Sequence, residues 1–203
     1  MANLSDFINS GGTQKHQTFA SSGTWVHPNP GEVIAVFVSE IWAGGGGGAK
    51  SSNGAQGGGA SGASSLLINA TEDLTINIGA GGSGKGGNFG GSGNDGGRSE
   101  ILDFNNNVLI GATPGKGGES NTTGRGSGGK GTIWDGFGDS PWAKTGSDDS
   151  PAFGGTAGRE EGGDGSFSFN GGSGGIGAGG GGTADGNSGG PGGNGFVSLF
   201  WKE

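Results

Sequence analysis

Short apolar stretches recur along this chain, and polar or turn-forming residues separate each stretch from the next. Apolar and polar positions alternate strictly over 74–78, and β-branched and aromatic residues dominate 33–42. Both patterns are typical of β-strands. The pattern therefore predicts strands at 18–19, 24–26, 33–42, 65–68, 74–78, 99–104, 108–110 and 196–201.

The spacing of these stretches also predicts which strands pair. A short polar segment separates 65–68 from 74–78, and the two are interpreted as a hairpin-like pair. A second pair is predicted at 99–104 and 108–110, joined by three asparagines that favour a turn. Because strands are predicted near both ends of the chain, we expect a small antiparallel β-domain. Three tryptophans are expected in its core: Trp25, Trp42 and Trp201.

Glycine recurs at every third position in two segments between the predicted strands. It does so between positions 81 and 96 and, with a break at Thr183, between positions 171 and 195. Three residues per turn is the period of the polyproline II helix, which makes no internal hydrogen bonds. With only 6 prolines among 203 residues, such segments must be held by hydrogen bonds to neighbouring segments.

The predicted fold class is therefore mostly β with polyglycine (polyproline II) helices and almost no α-helix. Long glycine-rich excursions leave a small antiparallel β-sandwich and pack into a polyglycine II bundle. Sixteen residues of such a helix would span about 50 Å. Collagen is disfavoured by the low proline content, and a disordered glycine linker by the 5 Trp and 11 Phe.

The charge and composition exclude several classes of function. A formal net charge of -8 argues against nucleic acid as a partner, since phosphates bind basic patches. No apolar run approaches the roughly 18 residues that would span a membrane, so the chain is not expected to be membrane-embedded. The N-terminus lacks the basic and apolar parts of a signal peptide, and there are no cysteines.

Acidic and aromatic residues concentrate between positions 132 and 170. Six of the chain's aromatic residues lie there, and seven carboxylates against two basic residues give 135–164 a net charge of -5. Aromatic side chains on loops supply large, rigid contact areas for recognition. The predicted receptor-binding residues are Trp134, Asp135, Phe137, Asp139, Trp142, Lys144, Asp148, Asp149 and Phe153. For Phe167 and Phe169, whose spacing suits a short strand, a recognition role and a role in plugging the bundle or capping its end fit equally well.

Catalytic chemistry is not expected. The two histidines, His16 and His27, have no nucleophile or acid suitably placed in the sequence, and no catalytic residue is assigned. The phosphate-loop pattern over 124–130 is followed by Gly131 where Ser or Thr is required. No cofactor or metal is predicted. Calcium in the acidic stretch is the one alternative, since Ca²⁺ takes oxygen ligands, although no calcium-loop signature is present.

Several motifs together resemble the glycine-rich domain of phage and prophage tail-fibre proteins, including the fibre-tip adhesins of T-even-like phages. The similarity covers about residues 17–202. The motifs are Thr18-Phe19, Ser22-Gly23-Thr24-Trp25, Pro30-Gly31, the run from Ala43 to Gly48, Ile76-Asn77-Ile78-Gly79-Ala80-Gly81-Gly82, and Gly189-Gly190-Pro191-Gly192 before the last predicted strand. The resemblance implies a sandwich of polyglycine helices whose loop tips contact the bacterial surface.

The resemblance also implies a location and partners. We expect a virion protein of the tail fibre or tail tip that binds a bacterial outer-membrane protein or a surface glycan. The expected domains are an N-terminal docking segment, 1–16, and an adhesin domain, 17–203, with a variable loop region at about 113–170. A second recognition turn is expected at Ser51, Ser52 and Asn53.

This chain lacks the long fibre-forming region of that family, so the N-terminal segment would dock onto another fibre or baseplate protein. The residues expected to dock are Leu4, Phe7 and Ile8. Self-assembly, for example into a homotrimer, is the alternative. Two other functions stay open: a purely structural tail component with buried loops, and an ice-binding protein.

Overall fold

Eight β-strands form the regular structure of this protein. The computed structural model describes residues 11–51, 58, 61, 63–86, 90–120, 162–163, 169–184 and 188–203, and no helix occurs among them. The strands are β1 Gln14–Phe19, β2 Gly23–Trp25, β3 Ile34–Trp42, β4 Ala63–Ala70, β5 Leu74–Asn77, β6 Ser99–Leu102, β7 Val108–Ala112 and β8 Phe196–Lys202. We call these eight strands the strand region.

The strands form two four-stranded antiparallel sheets. Their orders are β1-β8-β3-β4 and β2-β5-β6-β7. The first and last strands pair along their whole length, from Gln14 opposite Lys202 to Phe19 opposite Val197. The first strand takes in positions 14–16, which the sequence analysis had assigned to the docking segment.

One hydrophobic core joins the two sheets. It contains Val36 and Val38 from one sheet and Ile76 and Ile101 from the other, all fully buried. Trp25 is also fully buried there, and Trp201 packs against the same cluster, as the sequence predicted. Trp42 is buried too, but in a smaller cluster with Ala178 and Phe196.

The structure corrects one predicted pairing and confirms the other. Residues 65–68 and 74–78 do lie in strands, but β4 pairs with β3 while β5 pairs with β2 and β6 in the other sheet. The predicted hairpin is therefore a crossing from one sheet to the other. Both arrangements bury alternate residues in the same core, so alternation could not distinguish them. The second predicted pair is confirmed, because β6 pairs with β7.

Backbone hydrogen bonds at every third residue connect the glycine-rich segments. The amides of Gly44, Gly47 and Lys50 donate to the carbonyls of Gly97, Asn94 and Gly91, at 2.9–3.0 Å. The same three-residue step links Gly189, Gly192 and Gly195 to the carbonyls of Lys85, Gly82 and Gly79. We call these segments the glycine ladder: 44–51, 58 with 61, 79–86, 90–97, 115–120, 171–183 and 188–195.

Segment 44–51 is the centre of the glycine ladder. It exchanges hydrogen bonds with five other segments, through Gly97, Gly82, Gly115, Gly193 and Gly180. Gly58 closes the remaining side, because a Cβ on it would overlap the carbonyl of Gly46. Residues 43–49 are accordingly all buried, so the interior of this region consists of peptide groups rather than side chains.

Close approach of the neighbours explains the run of five glycines. A Cβ on Gly44 or Gly47 would overlap the backbone of segment 79–86. One on Gly45 or Gly48 would overlap segment 178–181, and one on Gly46 would overlap Lys116. In the segments that surround 44–51, only two of every three residues lie this close to a neighbouring backbone. Their third position carries side chains that face solvent, as at Ala80, Ser83, Pro191 and Asn194.

The hydrogen-bond register gives the ladder two ends. Gly195 bonds to Gly79 beside strands β8 and β5, whereas Gly189 bonds to Lys85 away from them. We call the end remote from the strands the distal end. The opposite end of the molecule, formed by the turns at 26–33, 71–73 and 103–107 with Thr13 and Glu203, is the proximal end.

The excursion between β3 and β4 is shorter than the sequence suggested. Residues 44–51 run outward from β3, while Gly58 and Ser61 bond to Gly180 and Gly177 on the way back to β4. Because Gly58 already lies beside Gly46 on the return, the pass that begins at Gly44 is shorter than the sixteen residues considered from sequence. Residues 115–120, assigned from sequence to the variable loop region, are part of the ladder, since Gly115 and Gly118 bond to Gly44 and Gly47. The pattern Gly-Lys-Gly-Gly-Glu was too short to show this from sequence.

Candidate recognition surface

The residues predicted from sequence to bind a receptor lie outside the described ranges. This holds for all nine of them: Trp134, Asp135, Phe137, Asp139, Trp142, Lys144, Asp148, Asp149 and Phe153. It holds also for Ser52 and Asn53 and for the docking residues Leu4, Phe7 and Ile8. Ser51 is described; it is buried, and its amide donates to the Thr183 carbonyl at 3.1 Å. For the stretch that contains the nine residues, the structure describes the flanking positions, Ser120 on one side and residues 162–163 on the other.

The described chain reaches the same distal end several times. Lys50 and Gly91 exchange two backbone hydrogen bonds there, at 3.0 and 2.8 Å. Thr183 bonds on the opposite side of the same segment, its amide donating to the Ala49 carbonyl at 3.0 Å. Gly90 lies beside Lys50 and Ser120, so segment 115–120 ends at this surface as well. Four segments thus meet within one small surface.

Phe169 is an aromatic residue presented at the distal end. Its side chain is 76% exposed, and its carbonyl accepts a 2.8 Å hydrogen bond from the Thr183 hydroxyl. The next residue, Asn170, accepts the Ser188 amide through its side-chain oxygen at 3.1 Å. These two contacts attach the chain to the end of the ladder. The structure thus excludes a plug in the bundle for Phe169, and this residue lies in a bend rather than a strand.

Two lysines that sequence reasoning did not single out flank Gly91. Lys50 contacts it through the backbone bonds, and the aliphatic part of the Lys85 side chain covers its α-carbon. Each of these lysines interrupts a glycine-rich run. That interruption is the signal that could have identified them. They add two cationic residues to the distal end, where ammonium groups can donate hydrogen bonds to a polar or anionic surface group.

One side of the ladder carries an ion pair between two of its segments. The Lys116 ammonium lies 2.6 Å from an Asp95 carboxylate oxygen, and the Gly117 amide donates to the other oxygen at 2.8 Å. Partial burial raises the pKa of Asp95, but these two hydrogen bonds and the charge of Lys116 outweigh it and leave the pKa below its usual range. Both side chains are about half exposed or more, so the pair adds charge to this face rather than much stability.

The two histidines have structural environments in the strand region. His16 stacks on Phe200 with ring centroids 4.3 Å apart, and its Nε2 is 3.0 Å from the Ser198 hydroxyl. His27 is buried, with Nδ1 accepting the Asn29 amide and Nε2 bonding to the Ala70 carbonyl. Activation of a serine needs a base that a third group orients. Among the described residues, no carboxylate bonds to the His16 ring.

The described residues contain no group of three or more His, Cys, Asp or Glu side chains that could hold a metal ion. The acidic stretch for which calcium was considered lies mostly outside them. In the described part of the chain, no helix is long and apolar enough to cross a membrane.

Comparison with known proteins gives no family. No protein-family profile matches the chain, and a search of curated proteins finds no relative.

Proposed function

We propose that the segments of the glycine ladder are polyglycine II helices packed side by side. Support comes from the three-residue step of the hydrogen bonds and from the neighbours that surround segment 44–51 on every side. Helices of this type have three residues per turn and form all their hydrogen bonds with neighbours. At about 3.1 Å per residue, an eight-residue segment would be about 25 Å long.

We propose further that the protein is the receptor-binding tip of a bacteriophage or phage-like particle. The bundle acts as a rigid spacer, and the loops at its distal end bind a bacterial outer-membrane protein or a surface glycan. The observation that carries this proposal is that segments 44–51, 90–97 and 115–120 and the residue Thr183 all reach the same end of the ladder, away from the strands. Binding residues are commonly found on loops that a rigid scaffold positions.

The flanks of the predicted receptor-binding stretch fit this proposal. The described chain stops at Ser120, at the distal end, and Gly163 is bound to the ladder again through the Gly179 carbonyl. The stretch between them contains Trp134 and Trp142, and the exposed Phe169 lies at the same end of the ladder. The exposed aromatic residue and the lysines Lys50 and Lys85 would contribute to the same binding surface.

Binding of the purified, fluorescently labelled protein to a panel of Gram-negative cells tests this function. We expect saturable binding to a few strains, and Trp142→Ala or the double variant Trp134→Ala/Trp142→Ala should weaken it at least tenfold. The matched control is Phe104→Ala, which removes an aromatic side chain, 66% exposed, at the proximal end. This control should bind cells as the wild type does.

Two results would contradict the proposal. If a multimerised form of the protein binds no strain, a purely structural tail component becomes the better interpretation. If the double variant binds as the wild type does, the receptor-binding residues are misassigned. Repeating the assay with and without calcium tests the metal alternative, because loss of binding in a chelator would assign a calcium site to the loops.

A further inference from the structure

Exposed apolar side chains collect at the proximal end of the strand region. Among the described residues, six large apolar side chains are exposed, and four of these lie at this end. The four are Val26 (68%), Val33 (68%), Phe104 (66%) and Val108 (39%). Single exposed apolar residues are normal on a protein surface, but a group at one end indicates an interaction surface.

The strand pairing places these side chains at the same end of the two sheets. Val26 follows β2 and Phe104 follows β6, and only β5 lies between these two strands. Neighbouring strands are about 4.8 Å apart, so the two residues are separated by about 10 Å across the sheet. Val33 precedes β3 in the other sheet, and the 26–33 turn that carries it is tied to β5 through the Gly31 amide and the Thr71 carbonyl.

The turns that present these residues are held rigidly. The His27 amide donates to the Asp73 carboxylate at 2.7 Å, which joins the 26–33 turn to the 71–73 turn. Asp103 accepts the Asn105 and Asn107 amides at 2.9 and 2.8 Å, which fixes the loop around Phe104. A preformed apolar surface loses little conformational entropy on binding.

The charged residues around this surface are mainly acidic. Five carboxylates and two lysines surround it, which gives a net charge of -3; they are Glu32, Glu72, Asp73, Asp103, Glu203, Lys15 and Lys202. Hydrogen bonds from Asn107 hold the pKa of Asp103 below its usual range, and a hydrogen bond from Trp201 does the same for Glu203. The surface therefore stays negative at neutral pH and complements a positively charged partner.

The chain also enters the strand region at this end. Thr13 and Glu203 exchange two backbone hydrogen bonds, at 2.7 and 3.1 Å, immediately before β1 and after β8. The N-terminal segment with Leu4, Phe7 and Ile8, predicted from sequence to dock, is thus attached beside the exposed apolar residues. The chain therefore enters β1 and leaves β8 at the proximal end.

We propose that the proximal end, through Val26, Val33, Phe104 and Val108, is the surface that attaches this protein to its particle. The partner is a fibre or baseplate protein whose end presents an apolar surface bordered by lysine or arginine. This inference rests on the proposed function, because it assumes a particle. It adds a second docking element to the N-terminal segment.

Attachment to particles that lack this protein, because its gene is deleted, tests the inference. Purified protein is mixed with such particles, the particles are sedimented, and the bound protein is measured; binding of the free protein to cells is measured in parallel. We expect Val26→Ser/Val33→Ser/Phe104→Ser to reduce attachment at least tenfold and leave cell binding unchanged. Glu32→Lys/Glu72→Lys should reduce attachment as well, and high salt should weaken attachment of the wild type. Phe169→Ser, at the distal end, is the matched control and should attach normally.

The outcomes separate this inference from the proposed function. Attachment of the triple variant at the wild-type level would overturn the inference, with cell binding showing that the variant is folded. Self-association of the wild type that the triple variant loses, measured by sedimentation velocity, would also overturn it, because the occupant would be a second copy. Wild-type protein that attaches to particles but binds no cells would contradict the receptor-binding role and leave the attachment surface standing.

Discussion

The strand region and the glycine ladder both satisfy their buried peptide groups with hydrogen bonds, but their interiors are filled by different groups. Both must pair their buried peptide groups: the strand region pairs them in strand ladders, and the glycine ladder pairs them with hydrogen bonds of 2.7–3.1 Å between segments. The strand region then fills its interior with side chains such as Trp25, Ile76 and Ile101. The interior of the ladder has almost no side chains, since the backbones of segments such as 44–51 touch directly.

This difference changes what each region tolerates. In the strand region, the interior depends on side-chain volume, so loss of atoms is the damaging change. In the ladder, the interior depends on the absence of Cβ atoms, so the addition of one carbon is the damaging change. The ladder also orders many glycines, which lose more conformational freedom on folding than other residues. We therefore expect the ladder to depend on the strand region for its stability.

The largest effect is expected from loss of volume in the strand core. Trp25 is fully buried and contacts His27 and Trp201 edge to face, with ring centroids 5.4 and 5.5 Å away. Trp25→Ala should lower the free energy of unfolding by about 3–5 kcal/mol. Trp25→Phe is the matched control, because it keeps an aromatic ring and removes an indole N–H that has no hydrogen-bond partner among the described residues.

Urea unfolding followed by tryptophan fluorescence measures this effect, and amide hydrogen exchange follows the glycine ladder. If the ladder depends on the strands, Trp25→Ala will accelerate exchange at Gly45 and Gly48 as much as at Val36. If the ladder amides stay protected while the strand region is unfolded, the ladder is stable by itself. That result would contradict the expected dependence of the ladder on the strands.

The next effect is expected from one added carbon in the ladder. A Cβ on Gly48 would overlap the Gly181 carbonyl, so Gly48→Ala should lower the free energy of unfolding by about 3 kcal/mol. At the exposed Gly86 the nearest atom to a Cβ is the Ser188 Cβ, 3.9 Å away. Gly86→Ala should change the stability by less than about 1 kcal/mol, in the stabilising direction.

Thermal and urea unfolding of these two alanine variants test whether close backbone contact between segments determines which residues the ladder tolerates. Equal stability of Gly48→Ala and Gly86→Ala would mean that the segments can move apart at little cost. That result would also remove the main argument for polyglycine II packing.

The smallest effect is expected from the ion pair on the surface of the ladder. The Asp95 pKa is lowered in the folded protein, so its contribution to stability is present above the usual carboxyl range and is lost as the pH falls through the lowered pKa. Because Asp95 and Lys116 are 47% and 66% exposed, their interaction should be worth less than about 1 kcal/mol. A double-mutant cycle with Asp95→Asn and Lys116→Met, at neutral and acid pH and in low and high salt, measures it. A larger, salt-independent coupling would show that side chains also hold the ladder together.

Sequence patterns predicted the strands well, because burial of one sheet face produces an alternation that is local in the sequence. All eight strands overlap predicted stretches, and β8 was predicted at 196–201. Sheet membership was not predictable in the same way. β4 and β5 lie in different sheets, and the chain crosses from one sheet to the other between them. Each strand still buries alternate residues, as the two strands of a hairpin would.

For the candidate recognition surface, the sequence showed which residue types are present but not which residues lie at the distal end. The acidic and aromatic stretch was evident from sequence, but Lys50, Lys85 and the exposed Phe169 were assigned to the distal end only by the register of the ladder. The apolar group at the proximal end is likewise spread over the sequence from Val26 to Val108. Only strand pairing brings these residues to one end of the molecule.

The sequence by itself determined the two kinds of segment in this protein. Side-chain alternation specified strands, and glycine at every third position specified segments that need close neighbours, since both are local consequences of backbone geometry. The tertiary structure alone decided which neighbours those are. Peptide groups are the same in every residue, so the sequence of a glycine run such as 44–48 cannot encode its partners. Their choice depends on the strands that fix both ends of each excursion.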